Sequence, residues 1–196
     1  MMEDDVPSVW LRAMELDDLD LLYQVENDTD LWRVGSTNVP YSRQFLRDFI
    51  LRTTGDIYTD KQVRLIADDQ FGTPVAIADI ADFDPGDRRA EVGLVVLPLY
   101  RGQGFGRATM VRLMDYARTT LHLHQLIVYV GVDNRASRNL FTSLGFSVAG
   151  RLKDWVYDGE SYHDALVMQV FLEKTLRKFC MYKKYYYLCI RKQKRC

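Results

Sequence analysis

The stretch "YRGQGFGRATM" (residues 100–110) places three glycines at alternating positions between Arg101 and Arg107. It follows an apolar run, "VGLVVLPL" (92–99), and precedes apolar residues at helical spacing: Met110, Leu113, Met114, Ala117 and Leu121. This order predicts a strand, a glycine-rich loop and a helix. The first turn of a helix has N–H groups without partners and a partial positive charge, and glycine lets the backbone approach a ligand closely. The stretch therefore predicts an anion site, unless the glycines serve only the geometry of the turn.

Two common phosphate loops do not match this stretch. The Lys-Ser/Thr pair of a Walker loop is missing, so the sequence indicates no magnesium or γ-phosphate chemistry. The glycines alternate, unlike those of a dinucleotide-binding fingerprint. The strand before them also belongs to a predicted antiparallel meander rather than to the start of a βαβ unit.

The rest of the chain predicts one α/β (α+β) domain. Strands are predicted at 8–14, 62–69, 73–84, 88–98 and 125–132, with two more in 147–172. Helices are predicted at 15–28 and 41–54, after the glycines, and in 134–146. In the helix at 41–54, we expect Phe45 and Phe49 to face inward, with Leu46 and Ile50 as further candidates. The segment 27–40 is predicted as a loop.

The charge is unevenly distributed along the 196 residues. Nine of the 26 Lys and Arg residues lie in 174–196, a segment without Asp or Glu, so residues 1–173 carry 17 basic against 27 acidic side chains. Such an acidic body repels nucleic acid and favours cationic small molecules or basic peptides. The charge alone does not choose between these two partners, but it argues against nucleic acid.

The segment 174–196 differs in composition from the domain expected at residues 1–173. It is basic and aromatic, and it holds all three cysteines, whose spacing fits neither a zinc motif nor a disulfide framework. The first ten residues are acidic where a signal peptide would be basic, and no apolar run reaches the roughly 18 residues of a membrane span. These features predict a cytoplasmic protein without a membrane partner, and give the tail no assigned role.

Two motifs together resemble the GNAT superfamily of N-acetyltransferases. "RGQGFG" (101–106) fits the family's pyrophosphate motif, Arg/Gln-x-x-Gly-x-Gly/Ala, and "NRASRNLFTSLGF" (134–146) resembles its second signature. The resemblance covers roughly residues 8–172. Within the superfamily, "GF…GRL…DG…HDALVM" is typical of the branch with bacterial spermidine and ribosomal-protein N-terminal acetyltransferases. It implies the GNAT fold, a mixed and mostly antiparallel twisted sheet of about seven strands flanked by about four helices, in a protein that can form homo-oligomers.

The resemblance implies direct transfer of an acetyl group from acetyl-CoA to an amine, without a metal. The backbone of Val95, Val96 and Leu97 is then expected to pair with the pantetheine arm, and Asn134 to bond that arm further along. The pyrophosphate is expected at Arg101 and at the backbone N–H groups of Gln103, Gly104, Phe105, Gly106 and Arg107.

The sequence defines the catalytic groups less well than the cofactor-binding groups. Phe141 stands where most members have a tyrosine that protonates the leaving thiolate, so Tyr100, Tyr129, Tyr157, Tyr162 or a water is expected to replace it. Otherwise Phe141 packs against acetyl-CoA in a protein that binds it as a sensor. Glu91 matches an acidic position of the spermidine branch and is the candidate base; the alternative is a surface ion pair with Arg88 or Arg89.

Acidic residues at the first helix and the loop after it are the candidates for binding the acceptor. Glu26, Asp28 and Asp30 would give a polyamine several carboxylates, and the alternative is a solvated helix end. Trp32 and Trp155 either border the acceptor pocket or belong to the core, and the core is the expectation for each. The expected reaction is acetylation of a polyamine such as spermidine or spermine, with a protein N-terminus as the alternative acceptor.

Overall fold

The computed structural model describes residues 6–32 and 39–172. The side chains of Asp30 and Trp32 lie outside the described part, as do the segment 174–196 and the predicted domain boundary before it. What the sequence predicts for them stays a prediction.

A seven-stranded mixed sheet forms the centre of the fold, in the order β1-β2-β3-β4-β5-β7-β6. All neighbours are antiparallel except β4 and β5, which are parallel. The strands are β1 Trp10–Ala13, β2 Val63–Asp68, β3 Pro74–Asp84, β4 Arg89–Val96, β5 Gln125–Gly131, β6 Ser147–Tyr157 and β7 Tyr162–Phe171.

The parallel pair opens into a gap in the middle of the sheet. Pairing between β4 and β5 starts at Arg89 with Gln125 and ends at Glu91 with Ile127. Beyond this point β4 continues to Val96 and β5 to Gly131 without pairing to each other. The backbone edges of the two strands therefore face each other across an open space, which we call the β4–β5 gap.

The helices of the described part divide between the two faces of the sheet. They are α1 Leu19–Glu26, α2 Thr29–Trp32, α3 Arg43–Arg52, α4 Ile57–Asp60, α5 Phe105–Thr119 and α6 Arg135–Ser143, with short 3₁₀ turns at Leu16–Asp18 and Pro98–Tyr100. The helical spacing found in the sequence lies on the buried side of α5, where Met110 and Leu113 pack in one cluster with Val92, Leu126 and Met168 of the strands. We call this side of the sheet the core face.

On the opposite side, which we call the open face, the helices lie over one half of the sheet. Arg64 of β2 contacts Glu26 of α1 and the ring of Phe49 of α3. Side chains alternate along a strand, so Glu91 points to this face while Ala90 and Val92 are buried in the core cluster. The open face is thus separated from the main core by the sheet.

The fold prediction is confirmed, with local corrections. The four longer helices are those expected, and α2 and α4 add two single turns, one of them inside the predicted loop at 27–40. The expectation that Phe45 faces inward is wrong. Leu46 takes the buried position, while Phe45 is exposed and stacks on Tyr41 with ring centroids 4.9 Å apart. An aromatic partner on the surface makes that position acceptable for a large apolar ring.

Candidate active site

The glycine loop ends in a helix whose N-terminus has no side-chain cap. Gly102 and Gly104 have φ of 74° and 86°, values that favour glycine, and Gly104 is the N-cap of α5. The first N–H bonded within the helix is that of Ala108, which donates to Gly104 O at 3.0 Å. The N–H groups of Phe105, Gly106 and Arg107 therefore have no acceptor within the helix, and no acidic side chain lies in this first turn. This arrangement fits an anion such as a pyrophosphate.

Gly106 is required for a different reason. A Cβ at this position would lie 3.1 Å from Val96 Cγ2 of β4 and 3.5 Å from Leu140 Cδ2 of α6. The missing side chain lets the start of α5 pack closely on the end of β4 and on α6. The helix N-terminus is consequently held at the wide end of the β4–β5 gap.

The polar side chains of the loop brace its backbone. Arg101 Nε donates to Val96 O at 3.0 Å, and Gln103 Nε2 donates to Leu99 O at 2.6 Å. Arg107 Nη1 donates to Ser143 O at 3.2 Å and to Ser143 Oγ at 3.0 Å. These contacts fix the loop shape, so that the backbone N–H groups are preorganised for a ligand.

Neighbouring residues of β4 present their backbone groups to opposite sides. Leu97 N donates to Val75 O at 3.0 Å, and Val95 is the register partner of Ile77. In an antiparallel ladder, the residue between these two turns its N–H and C=O away from the partner strand. The structure thus directs Val96 and, two residues earlier, Leu94 toward the gap. The sequence missed Leu94, because only the register reveals which residues of the strand face the gap.

Asn134 lies just beyond the end of β5 and begins α6. Its Oδ1 accepts from Ser137 N at 3.0 Å, and its own N–H donates to Gly131 O at 2.9 Å. The side-chain oxygen is thus used as a helix cap, which leaves the amide NH₂ as the part suited to a pantetheine carbonyl.

Phe141 is part of the core. Its exposure is 4%, and it packs edge to face on Phe146 at 5.1 Å between ring centroids. A phenyl ring has no proton to donate, so the structure gives this position a packing role on the core face.

Glu91 lies at the narrow end of the gap, in a cavity of about 670 Å³ on the open face. The cavity is also lined by Asp82, Tyr129 and Gln169. Burial, and secondly the nearby charge of Asp82, raise the pKa of Glu91 above the ordinary glutamate value. A carboxylate with a raised pKa is a better proton acceptor while it is still ionised near neutral pH.

The alternative expectation for Glu91, an ion pair with Arg88 or Arg89, is not formed among the described residues. Arg88 Nε donates to His122 O at 2.7 Å. Arg89 lies 3.1 Å from Asp84 and 3.4 Å from Asp87. The carboxylate of Glu91 is therefore left facing the cavity.

The acceptor candidates have different environments. Glu26 forms an ion pair with Arg64, whose Nε also lies 2.7 Å from Asp79 Oδ1. Backbone contacts place Asp28 at the start of α2, where its carbonyl accepts from Leu31 N at 3.0 Å. Glu26 is thus connected to the sheet through Arg64 of β2.

Asp79 was missed by the sequence reasoning. It lies on β3 beside Gly93 of β4, where an added Cβ would be 3.4 Å from Asp79 Cβ. The pattern "ADIADFD" (78–84) gave a possible indication, since Asp79 interrupts an otherwise buried apolar strand. The chain thus carries a row of side chains, Glu26, Arg64 and Asp79, which leads across the open face toward the strand of Glu91.

An aromatic pair completes the site. Trp155 of β6 is 58% exposed and stacks on Tyr129 of β5, with ring centroids 6.1 Å apart and an angle of 17° between the rings. The expectation that Trp155 belongs to the core is therefore wrong. A shift of register in β6 between Leu152 and Val156 interrupts the alternation that the sequence reasoning assumed.

No group of three His, Cys, Asp or Glu side chains in residues 6–32 and 39–172 is placed to hold a metal ion. None of the helices in those ranges combines the length and apolar character that crossing a bilayer requires.

Comparison with known proteins gave consistent relatives. The sequence matches the acetyltransferase (GNAT) domain over residues 8–147. Spermidine N(1)-acetyltransferase of Escherichia coli (strain K12) is 28% identical over 174 residues, covering 86% of this chain and 89% of that protein. The crystal structure of spermidine N-acetyltransferase from Vibrio cholerae in complex with CoA and spermine is 25% identical and superposes with a TM-score of 0.79. It covers 86% of this chain and 98% of that one.

Proposed function

Since the chain belongs to the acetyltransferase (GNAT) family, we propose that it transfers the acetyl group of acetyl-CoA to a primary amine of a polyamine such as spermidine or spermine. Acetyl-CoA is the proposed co-substrate, which the CoA bound in the solved relative from Vibrio cholerae supports. The observation that carries the proposal is the β4–β5 gap, which has an uncapped helix N-terminus at its wide end and the half-buried Glu91 at its narrow end.

The residues of the gap fit acetyl-CoA in order. The N–H groups of residues 103–107 bind the pyrophosphate, and the backbone of Leu94 and Val96 pairs with the pantetheine arm. Asn134 contributes its amide from the β5 side. The thioester then lies near the narrow end of the gap, beside Glu91. These assignments rest on backbone geometry, which a bound anion and an extended arm both require.

The reaction needs two proton movements. The acceptor enters as an ammonium ion and loses a proton to Glu91, directly or through water, before its nitrogen attacks the thioester carbonyl. The C–S bond then breaks and the thiolate takes up a proton. Phe141 supplies no proton. The thiolate of a thiol with a pKa of about 8.5 is nevertheless a tolerable leaving group at neutral pH.

A polyamine suits the charges of the open face. Glu91 and Asp82 face the cavity, and the ion-pair row of Glu26, Arg64 and Asp79 contains two carboxylates for one guanidinium. Several spaced cationic nitrogens match carboxylates at several positions better than a single amine does. The relatives described above are named for spermidine acetylation, which supports the same acceptor.

The test uses the purified chain with acetyl-CoA and a panel of acceptors. Spermidine and spermine are compared with a monoamine of similar length and with a short peptide that has a free N-terminus. CoA release is measured with a thiol reagent, and the product is identified by mass spectrometry. We expect both polyamines to exceed the monoamine at least tenfold in kcat/KM. Turnover of the peptide alone would replace the polyamine by a protein N-terminus, and acetyl-CoA binding without any turnover would favour a sensor.

Four further expectations belong with this proposal and are open to measurement. They are a cytoplasmic location, self-association into a homo-oligomer, no nucleic-acid or membrane partner, and activity without a metal. Light scattering and assay in the presence of a chelator test the second and the last.

A further inference from the structure

We propose that Tyr129 donates the proton that the departing CoA thiolate takes up, in place of the tyrosine that Phe141 replaces. The inference rests on the proposed acetyl transfer and assigns the second proton movement of that reaction. Position 141 cannot supply this proton, because Phe141 is buried against Phe146 and carries no exchangeable proton.

The other candidate tyrosines have different surroundings. Tyr157 donates its hydroxyl to Gly159 O at 2.9 Å, and its ring packs on Tyr162 with centroids 4.9 Å apart, at the end of the β6–β7 hairpin. Tyr100 packs edge to face on Phe105, with centroids 5.3 Å apart, in a small apolar cluster. Of the four tyrosines that the sequence offered, Tyr129 is the one that lines the cavity of Glu91.

The strand register places Tyr129 beside the reacting atoms. Glu91 pairs with Ile127, and this is the last pair before β4 and β5 diverge. Tyr129 lies two residues further along β5, about 6.6 Å by the rise of a strand, and on the same face as Ile127. Glu91 thus lies at the narrow end of the β4–β5 gap, and Tyr129 lies on the β5 side of the gap. An acyl group that enters the gap from the pyrophosphate end comes to lie between the proposed base and the proposed acid.

Trp155 holds the phenol ring in place. The two rings are nearly parallel at 6.1 Å between centroids, an arrangement that stabilises offset aromatic pairs. Tyr129 nevertheless remains 40% exposed. Its hydroxyl can therefore recover a proton from water after each turnover.

The amine nitrogen, after giving one proton to Glu91, forms the new C–N bond as the C–S bond breaks, and the sulfur keeps that electron pair. The nitrogen then releases its second proton to water, which leaves a neutral amide. Tyr129 passes its hydroxyl proton to the thiolate, which leaves as CoA thiol. Tyr129 takes up a proton from solvent and Glu91 releases its own, so that each turnover releases one proton in total and needs no oxidant or reductant.

The experiment compares Tyr129→Phe with the wild type in steady-state kinetics. We expect kcat to fall at least tenfold and at most by the roughly 10²–10⁴-fold typical of one acid–base group, with KM for acetyl-CoA within twofold. Tyr162→Phe is the matched control, an exposed tyrosine of the next strand, and should keep the wild-type kcat.

The outcomes separate this inference from the proposed function. If the wild type acetylates polyamines and Tyr129→Phe has the same kcat, then Tyr129 is not the acid, while the acetyl transfer stands. If the wild type acetylates no amine, the function itself is wrong. Thermal unfolding of Tyr129→Phe, with and without CoA, checks that the variant folds and binds. Equal losses in kcat and in CoA affinity would also overturn the proton-donor role, since they indicate a purely structural one.

Discussion

The cofactor side and the acceptor side of this molecule are built in opposite ways. The proposed cofactor side, residues 92–107, is one continuous strand, loop and helix start, and the ligand groups proposed there are backbone N–H and C=O. The proposed acceptor side consists of side chains from α1, β2, β3, β4, β5 and β6, which offer charge and aromatic surface. Backbone sites are set by local glycines, whereas side-chain sites are set by register and by contacts between distant elements.

The largest expected effect comes from a substitution on the acceptor side that leaves the cofactor side unchanged. In Glu91→Gln, the amide cannot accept the ammonium proton, so kcat should fall about 10²–10⁴-fold. Affinity for acetyl-CoA, measured by calorimetry, should stay within twofold, because the pyrophosphate groups lie at the other end of the gap. The control is Glu160→Gln, an exposed glutamate in the turn between β6 and β7, which should keep the wild-type kcat. A normal kcat in Glu91→Gln would mean that the base is another group.

The second prediction breaks the cofactor side. In Gly106→Val, the new side chain meets Val96 and Leu140, where a Cβ alone would already be 3.1 and 3.5 Å away. Overpacking costs about 1–3 kcal/mol, and this cost falls on the helix start that binds the anion. Acetyl-CoA affinity should therefore drop roughly tenfold or more. In Gly150→Val, where a Cβ meets nothing within 4 Å, the affinity should be unchanged.

The same contrast explains what the sequence could predict. The seven strands, the four longer helices and the loop with Gly102 and Gly104 at positive φ follow from local patterns: apolar alternation, helical spacing and turn residues. The order of the motifs also led to the correct family. These features depend on neighbours within a few residues, and such neighbours are visible in a sequence.

The remaining features depend on pairing that a sequence does not show. Which of Leu94, Val95 and Val96 faces the gap is decided by the register of β3 with β4. The partner of Glu26 is Arg64, 38 residues away. Trp155 leaves the core because β6 shifts register near it. A one-residue change in pairing reverses the direction of a side chain, so single residues of the acceptor side were predicted less well than the loop.

The third prediction tests the acceptor side by removing Arg64, the cation between Glu26 and Asp79. Arg64→Met leaves Glu26 and Asp79 without the guanidinium between them. Since these side chains are 17–29% exposed, we expect a loss of about 1–3 kcal/mol in the free energy of unfolding, below the value for a fully buried pair. Urea unfolding measures it, and spermidine should stabilise the variant more than the wild type, because it can replace the missing cation. Arg43→Met, which breaks an exposed pair with Asp20, should cost at most about 1 kcal/mol.

The smallest expected effect is on stability. Glu91→Gln should raise the stability of the fold while it lowers the activity. The pKa of Glu91 is raised in the folded chain, so the charged form is less favourable in the folded than in the unfolded state. The ionised carboxylate therefore destabilises the fold at pH 7–8. This penalty is lost as the pH falls through the raised folded pKa toward the unfolded one, below which Glu91 is protonated in both states.

Glu91→Gln should accordingly unfold at a slightly higher temperature than the wild type at pH 7–8. A gain of about 1–2 °C corresponds to at most about 0.5 kcal/mol, and the difference should vanish near pH 4. Thermal scans across this range measure it, and a variant that is less stable at neutral pH would show that the cavity stabilises the carboxylate. A half-buried carboxylate whose charge costs stability fits a proton-transfer site, and the cofactor loop, made of backbone, has no counterpart to this cost.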